Sequence, residues 1–193
     1  MRVIAGVAKG RPLAAVPGEG TRPITDRVKA ALFNILAAQG QIMGCRYLDL
    51  FAGTGAVGIE ALSRGAAEVV FCERAQAALR TLRRNLEATG FQAKGVIVAG
   101  DAFTYLARSE LAPFDVIYIA PPQYRGLWLQ ALRAIDARPE LLTETGLAVV
   151  QIFPKEWVEP PLEHLQLVDQ RRYGSTALYF FGRRSGARSP DEK

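Results

Sequence analysis

The chain has 193 residues, 49% hydrophobic and 22% charged, which is ordinary globular composition for one domain with its own core. No apolar run approaches the roughly 18 residues of a membrane-spanning helix, and the N-terminus lacks the apolar stretch of a secretory leader, so a soluble, cytoplasmic protein is expected. Two cysteines without metal-type spacing and one histidine argue against a disulfide framework, a bound metal and a histidine-dependent triad.

The net charge of +5 is unevenly placed. Residues 1–40 carry six Lys/Arg against two Asp/Glu, and so do residues 171–193, whereas the stretch between carries twelve against fifteen. Basic ends around an acidic middle point to a polyanionic partner gripped by the terminal segments.

In chain order, "MRVIAGVAKGRPLAAVP" reads as a short β-hairpin broken by Gly6 and Gly10. Thr25 is positioned to cap a helix whose apolar positions Val28, Leu32, Phe33, Ile35 and Leu36 share a stripe, with Gly40 at its end. From Arg46 the pattern alternates. Strand "RYLDLF" is followed by a glycine loop and a helix near 56–64, then strand "EVVFCE" and helix "AQAALRTLRRNLEATG". Strand "GVIVAG" precedes a short helix near 102–109, strand "FDVIYIA" a helix near 127–137, and "GLAVVQIF" is the fifth strand. Strands apolar throughout are expected where helices cover both faces, and the alternation predicts an open, parallel, doubly wound sheet. "LQLVDQRRYGSTALYFFGRR" reads as a closing antiparallel hairpin turning near Tyr173–Ser175, which brings the sheet to seven strands; the tail from Ser185 is expected to be disordered.

In "YLDLFAGTGAVGIEAL", Gly53, Gly55 and Gly58 follow a strand and open a helix, where glycine permits a tight turn and close approach of a ligand to the backbone. Glu73 ends the next strand, 20 residues after Gly53. Asp49 precedes the loop and Asp101 follows the third strand. Three acids at successive strand ends suit a cofactor with an ammonium, ribose hydroxyls and an adenine amine. They suit the pyrophosphate of a nicotinamide dinucleotide poorly, so S-adenosylmethionine is the expected cofactor. Asp49, Phe51, Gly53, Gly55, Glu73, Asp101 and Ala102 form the candidate pocket.

The fourth strand ends in "VIYIAPPQYRG". Proline fixes φ and cannot donate, so two in succession present main-chain carbonyls in a set orientation. Methylation of a conjugated exocyclic amine needs such acceptors and a flat clamp on the base. Ala120, Pro121, Pro122 and Tyr124 are therefore the candidate catalytic residues, with Tyr124 offering its π-face to a flipped base.

Taken together, "IAGVAKGRPL", "TRPITDRVKAALFNIL", "LDLFAGTGAVGIEALSRGA", "FCERAQAALRTLRRNL", "FDVIYIAPPQYRG" and "YGSTALYFF" resemble the bacterial 16S rRNA (guanine-N2)-methyltransferases called RsmD, over almost the whole length to about Arg184. The resemblance implies a class I methyltransferase fold over 25–184 with an N-terminal β-hairpin extension over 1–24. It also implies methyl transfer from S-adenosylmethionine to the N2 amine of one small-subunit guanine, at position 966, by a monomer acting on 16S rRNA, the small subunit or an assembly intermediate. Arg22, within "TRPIT", is implied to meet the donor's carboxylate; capping and hairpin anchoring are its other reading. Arg2, Lys9, Arg11, Arg27, Lys29 and Arg125 are candidate RNA phosphate contacts.

One departure stands out. The family usually reads Asp-Pro-Pro followed by Tyr or Phe; here Ala120 replaces the acid and Gln123 precedes the aromatic. Either main-chain carbonyls of Ala120 and Pro121 suffice, or another carboxylate such as Asp26 fills in, or the chain is a non-catalytic relative that still binds donor or RNA. A DNA exocyclic-amine methyltransferase and a nicotinamide oxidoreductase are the remaining rivals. Trp128 reads as packing, His164 as edge-strand surface, and Cys45 and Cys72 as core thiols.

Overall fold

The computed structural model describes residues 1–16 and 24–184. Helix α1, Asp26–Ala38, begins where the Thr25 hydroxyl accepts the Val28 N–H at 3.3 Å, and ends before Gly40. Its buried stripe of Val28, Leu32, Phe33 and Leu36 is the expected one, with Ile35 half-buried at its margin. The alternating stretch then gives β1 (Arg46–Asp49), α2 (Ala56–Ser63), β2 (Glu68–Glu73), α3 (Gln76–Thr89), β3 (Gly95–Ala99), α4 (Ala102–Leu106), β4 (Phe114–Ile119), α5 (Leu127–Asp136) and β5 (Leu142–Ile152). The hairpin β6 (Leu165–Tyr173) and β7 (Thr176–Arg183) closes the chain.

These strands form one sheet in the order β3-β2-β1-β4-β5-β7-β6, parallel except for β7, which runs antiparallel to both neighbours. The central strands alternate between two cores although both faces are apolar. Tyr47, Val69, Val116 and Val149 pack beneath α1, α2 and α3, while Leu48, Val70, Ile117 and Val150 pack beneath α4 and α5. That double burial explains the unbroken apolar runs. It fails at the rims: β3 is a partly exposed edge, with Val96 open to solvent, and the outer strand β6 is largely exposed. Trp128 is buried and stacks on Trp157 at 5.8 Å, and Trp157 stacks in turn on Tyr179, so Trp128 is packing.

The N-terminal hairpin is short: one antiparallel bridge, Arg2 with Pro12, closed by Val3 N–H to the Arg11 carbonyl and Leu13 N–H to the Met1 carbonyl at 3.0 Å, and Gly10 N–H to the Val3 carbonyl at 2.9 Å. A longer ladder does not form because α2 claims the donors. Glu60 accepts the Ile4 and Ala5 N–H groups at 2.8 and 3.0 Å, and the Ser63 hydroxyl accepts the Ala8 N–H at 3.0 Å. The extension is thus fastened to the helix that begins at the glycine loop. Asn85 of α3 ties the same parts together: its amide accepts from Ala14 N–H and donates to the carbonyls of Ala14 and Thr54.

The order reverses at β1: the chain passes to β2 on one side and later to β4 on the other. Loops leaving β1 and β4 therefore diverge, and a crevice opens at their carboxyl ends, where ligands of such sheets bind.

Candidate active site

A cleft of about 970 Å³ occupies that crevice. Strand register aligns its walls: Asp49 of β1 sits opposite Phe71 and Tyr118, Glu73 opposite Ala99, and Ile119 opposite Val150. Asp49, Phe51, Gly53, Glu73, Asp101 and Ala102 line one half. Ala120, Pro121, Pro122, Gln123, Arg125, Gln151 and Phe153 line the other, and Ile24, Thr25 and the Tyr173–Thr176 turn border it.

Each acid of the first half is set by backbone donors. Asp49, only 3% exposed, accepts the Gly58 N–H at 3.2 Å. Burial is the largest influence on its carboxyl and pushes its pKa up to about 7, opposed by that hydrogen bond and reinforced by the charge of Glu73. Glu73 accepts from the Gly53 N–H with one oxygen and from Arg74 and Ala75 N–H with the other, all at 2.8 Å. Asp101 caps α4, one oxygen accepting from Phe103 and Thr104 N–H at 2.9 and 3.0 Å, while the other lies 4.0 Å from Arg74 Nη1. Phe51 meets Phe103 edge to face at 6.3 Å. Gly53 has φ +52°, and a Cβ there would meet no atom within 4 Å, so the position is a cradle of main chain facing open cleft. Buried carboxylate, main-chain cradle and flanking acids fit a cationic nucleoside with hydroxyl and amine donors.

In the second half Tyr118 is buried and donates its hydroxyl to Gln151 Oε1 at 2.6 Å. Burial holds that phenol well above its ordinary pKa, so it remains a donor. Pro121 is buried and Ala120 half-buried.

The family model described as Conserved hypothetical protein 95 matches residues 1–182. The chain belongs to this family. Within it, ribosomal RNA small subunit methyltransferase D of Haemophilus influenzae is 37% identical over 90% of this chain and 93% of its own length. The Escherichia coli K12 protein of that name is 38% identical over 77% and 73%. The solved structure of E. coli yhhF superposes with a TM-score of 0.83 at 31% identity, covering 96% of this chain and 99% of that one. The RsmD resemblance read from the motifs is borne out, and so is the class I methyltransferase fold.

Several expectations need correction. Gly55, also at positive φ, is absent from the cleft wall; a Cβ there would lie 2.3 Å from Leu82 Cδ1, so this glycine serves the packing of α2 on α3. Lys29 is 1% exposed and cannot reach a phosphate: it donates to the Arg2 carbonyl at 2.7 Å and pairs with the buried Glu60 at 3.3 Å. Asp26 does not line the cleft and pairs with Arg2 at 3.3 Å, so it does not replace the missing acid of the fourth strand. Tyr124 lies outside the cleft wall as well, its ring stacked on Phe153 at 5.6 Å and 17°. Cys45 is half-buried, and only Cys72 is a core thiol, its pKa raised to about 12 chiefly by burial.

Other candidates keep accessible positions. Arg2, Lys9, Arg11, Arg27 and Arg125 are exposed, with Arg11 bonded to the Ala88 carbonyl at 2.9 Å. His164 is exposed beside the edge strand, as expected. Arg22 and the tail from Ser185 lie outside the described residues. Sequence reasoning missed Gln151, Phe153 and Glu156, and the only signal for them was an apolar strand ending in "QIFPKE". No helix among the described residues is long and apolar enough to cross a membrane.

Proposed function

We propose that the chain is a cytoplasmic S-adenosylmethionine-dependent methyltransferase acting on the exocyclic N2 of a guanine in small-subunit rRNA, as a monomer. The observation that carries this reading is the meeting of the two half-sites. Acids held at the ends of β1, β2 and just past β3 face a rigid double-proline corner across one cleft, in a chain over a third identical to named small-subunit rRNA methyltransferases.

When bound, the cofactor supplies an electrophilic methyl on a sulfonium. The remaining work belongs to the chain. Asp49 meets the donor's ammonium, Glu73 has hydroxyl-accepting lone pairs beside its backbone bonds, and the outer oxygen of Asp101 accepts from an adenine amine. Across the cleft the carbonyls of Ala120 and Pro121 accept the target amine's N–H groups. Neither proline nitrogen carries a hydrogen, so nothing there competes for those acceptors. The amine sheds its proton after attack, which is why orientation matters more here than a strong base.

Incubating the protein with isotope-labelled donor and small subunits lacking the modification, then digesting the rRNA for mass spectrometry, tests the reading. One N2-methylguanine per particle is expected. Tight donor binding without any labelled nucleoside would show a non-catalytic relative instead.

A further inference from the structure

We propose that Phe153 presents the aromatic face on which the target base stacks, with Tyr124 as its backing and Glu156 as the positioning residue that holds the two rings together. This rests on the base-methylation reading above and names the substrate-binding group within it. The double-proline corner of this chain has two irregularities, Gln123 at the first position after the prolines and a displaced Tyr124. Tyr124 has φ +56°, the left-handed region that a bulky L-residue enters at a cost. Its ring lies outside the cleft wall: Tyr124 is 68% exposed, and one face of its ring is stacked on Phe153. Phe153, by contrast, forms part of the cleft wall.

The strands place Phe153 where a base must lie. Ile119 pairs with Val150, so Ala120 and Gln151 leave adjacent strand ends side by side. Phe153 is two residues past Gln151 in extended backbone (φ −68°, ψ 140°), so both side chains leave the same side of the chain, and both line the cleft. Carbonyl acceptors at Ala120 and an aromatic face at Phe153 thus stand next to each other.

One carboxylate joins the pair. Glu156 accepts the Tyr124 N–H at 2.7 Å with one oxygen and the Phe153 N–H at 3.2 Å with the other. The strained conformation of Tyr124 is held by this bond and by the ring stack. Together they confine the Phe153 ring from behind, which lowers the entropy lost when a base stacks on its front. Stacking of a base on one aromatic ring is worth roughly 5- to 150-fold in affinity.

The test is steady-state methylation of small subunits lacking the modification, with donor Kd measured in parallel by calorimetry and folding checked by thermal melting. Phe153→Ala is expected to lower kcat/KM for the RNA about 10- to 100-fold with donor Kd within about two-fold, and Phe153→Tyr to restore it. Tyr124→Ala is expected to lose only about five-fold, and Glu156→Gln, which keeps one acceptor, to lose less than Phe153→Ala. A loss in Tyr124→Ala equal to or greater than that in Phe153→Ala overturns the proposal, as does wild-type kinetics in Phe153→Ala. Should the wild-type chain methylate a different base, the guanine reading fails while the ranking of Phe153 and Tyr124 still decides this one. A wild-type chain that modifies no base overturns both.

Discussion

The two halves of the cleft are held by different kinds of contact. On the β1–β3 side every acid is tied to backbone amides of its own strand–loop–helix region: Asp101 to Phe103 and Thr104, Glu73 to Arg74, Ala75 and, 20 residues back, Gly53, and Asp49 to Gly58 nine residues on. On the β4–β5 side two contacts span more than thirty residues, Tyr118 to Gln151 and Tyr124 to Glu156, and Glu156 also takes the nearby Phe153 N–H. A site for an invariant small molecule can be built from short loops that fold in one way. A site for a base embedded in a large RNA is built from whatever the sheet brings together.

If the first half is a rigid cradle that stores strain in one buried acid, Asp49→Asn has the largest effect on stability. The folded pKa of about 7 lies above the ordinary 3.8, so between those values the native state binds more protons than the unfolded chain. Stability therefore falls as pH rises from about 4 to 7 and levels off above. At roughly 1.4 kcal/mol per unit this amounts to at most about 4 kcal/mol. The asparagine variant, keeping an acceptor for the Gly58 N–H, is expected to raise Tm at pH 8 but not at pH 4, while donor affinity drops about 10- to 100-fold. Donor binding to the wild-type chain should strengthen as pH rises through about 7, and calorimetry across that range should find the trend absent in the variant. A variant less stable than wild type at pH 8 would show that Asp49 is not a strained group.

Gly53→Asp comes next. The added Cβ meets no atom, and aspartate tolerates left-handed backbone better than most residues, so the fold survives with a loss of about 1 kcal/mol. Its carboxylate enters the cleft beside Glu73, and donor affinity is expected to fall at least about 100-fold, or 2.7 kcal/mol. RNA affinity in a filter-binding assay should not change, because the two halves are separately built. Loss of both would mean that the glycine loop also shapes the RNA surface.

The same difference decides what could be read from the residues alone. Gly53, Glu73 and Asp101 are legible because spacing along a strand–loop–helix unit places them without knowledge of the rest. Gly55 misled because a glycine required by packing on Leu82 looks like one required by a ligand. Lys29 misled because its burial depends on Glu60, on another helix, and on the docking of residues 4–8 above both. Tyr124 reads as the stacking residue from its place after two prolines, whereas its ring lies outside the cleft wall, stacked on Phe153. Phe153 carries only a weak local mark, the apolar strand ending in "QIFPKE"; the register of β4 against β5 brings it beside the corner.

In the second half the smaller effects lie. Ala120→Asp introduces the acid that the resemblance leads one to expect ahead of the two prolines. If main-chain carbonyls already hold the amine, the change in kcat is expected to stay within about ten-fold, the gain from replacing a neutral acceptor by a charged one. A hundred-fold rise would mean that Ala120 leaves the wild-type corner deficient. Single-turnover rates at saturating donor separate this from any change in binding.

The smallest expected effect separates charge that faces the RNA from charge that only holds the fold. Arg125 is exposed at the cleft rim beside the double-proline corner, whereas Lys29 is sealed between α1 and α2. Each phosphate neutralised releases counterions, so binding falls with salt in proportion to the contacts made. Arg125→Ala is expected to weaken RNA binding a few-fold and to flatten the plot of log affinity against log salt by about 0.7 to 0.9. Lys29→Met, although it leaves the buried Glu60 with Arg64 as its remaining ionic partner and so lowers Tm, should leave that slope as it was. A reduced slope in the lysine variant at temperatures where it is folded would mean that the strap between the extension and α2 also sets how many phosphates the surface can reach. The extension would then belong with the β4–β5 half as part of the RNA-reading side.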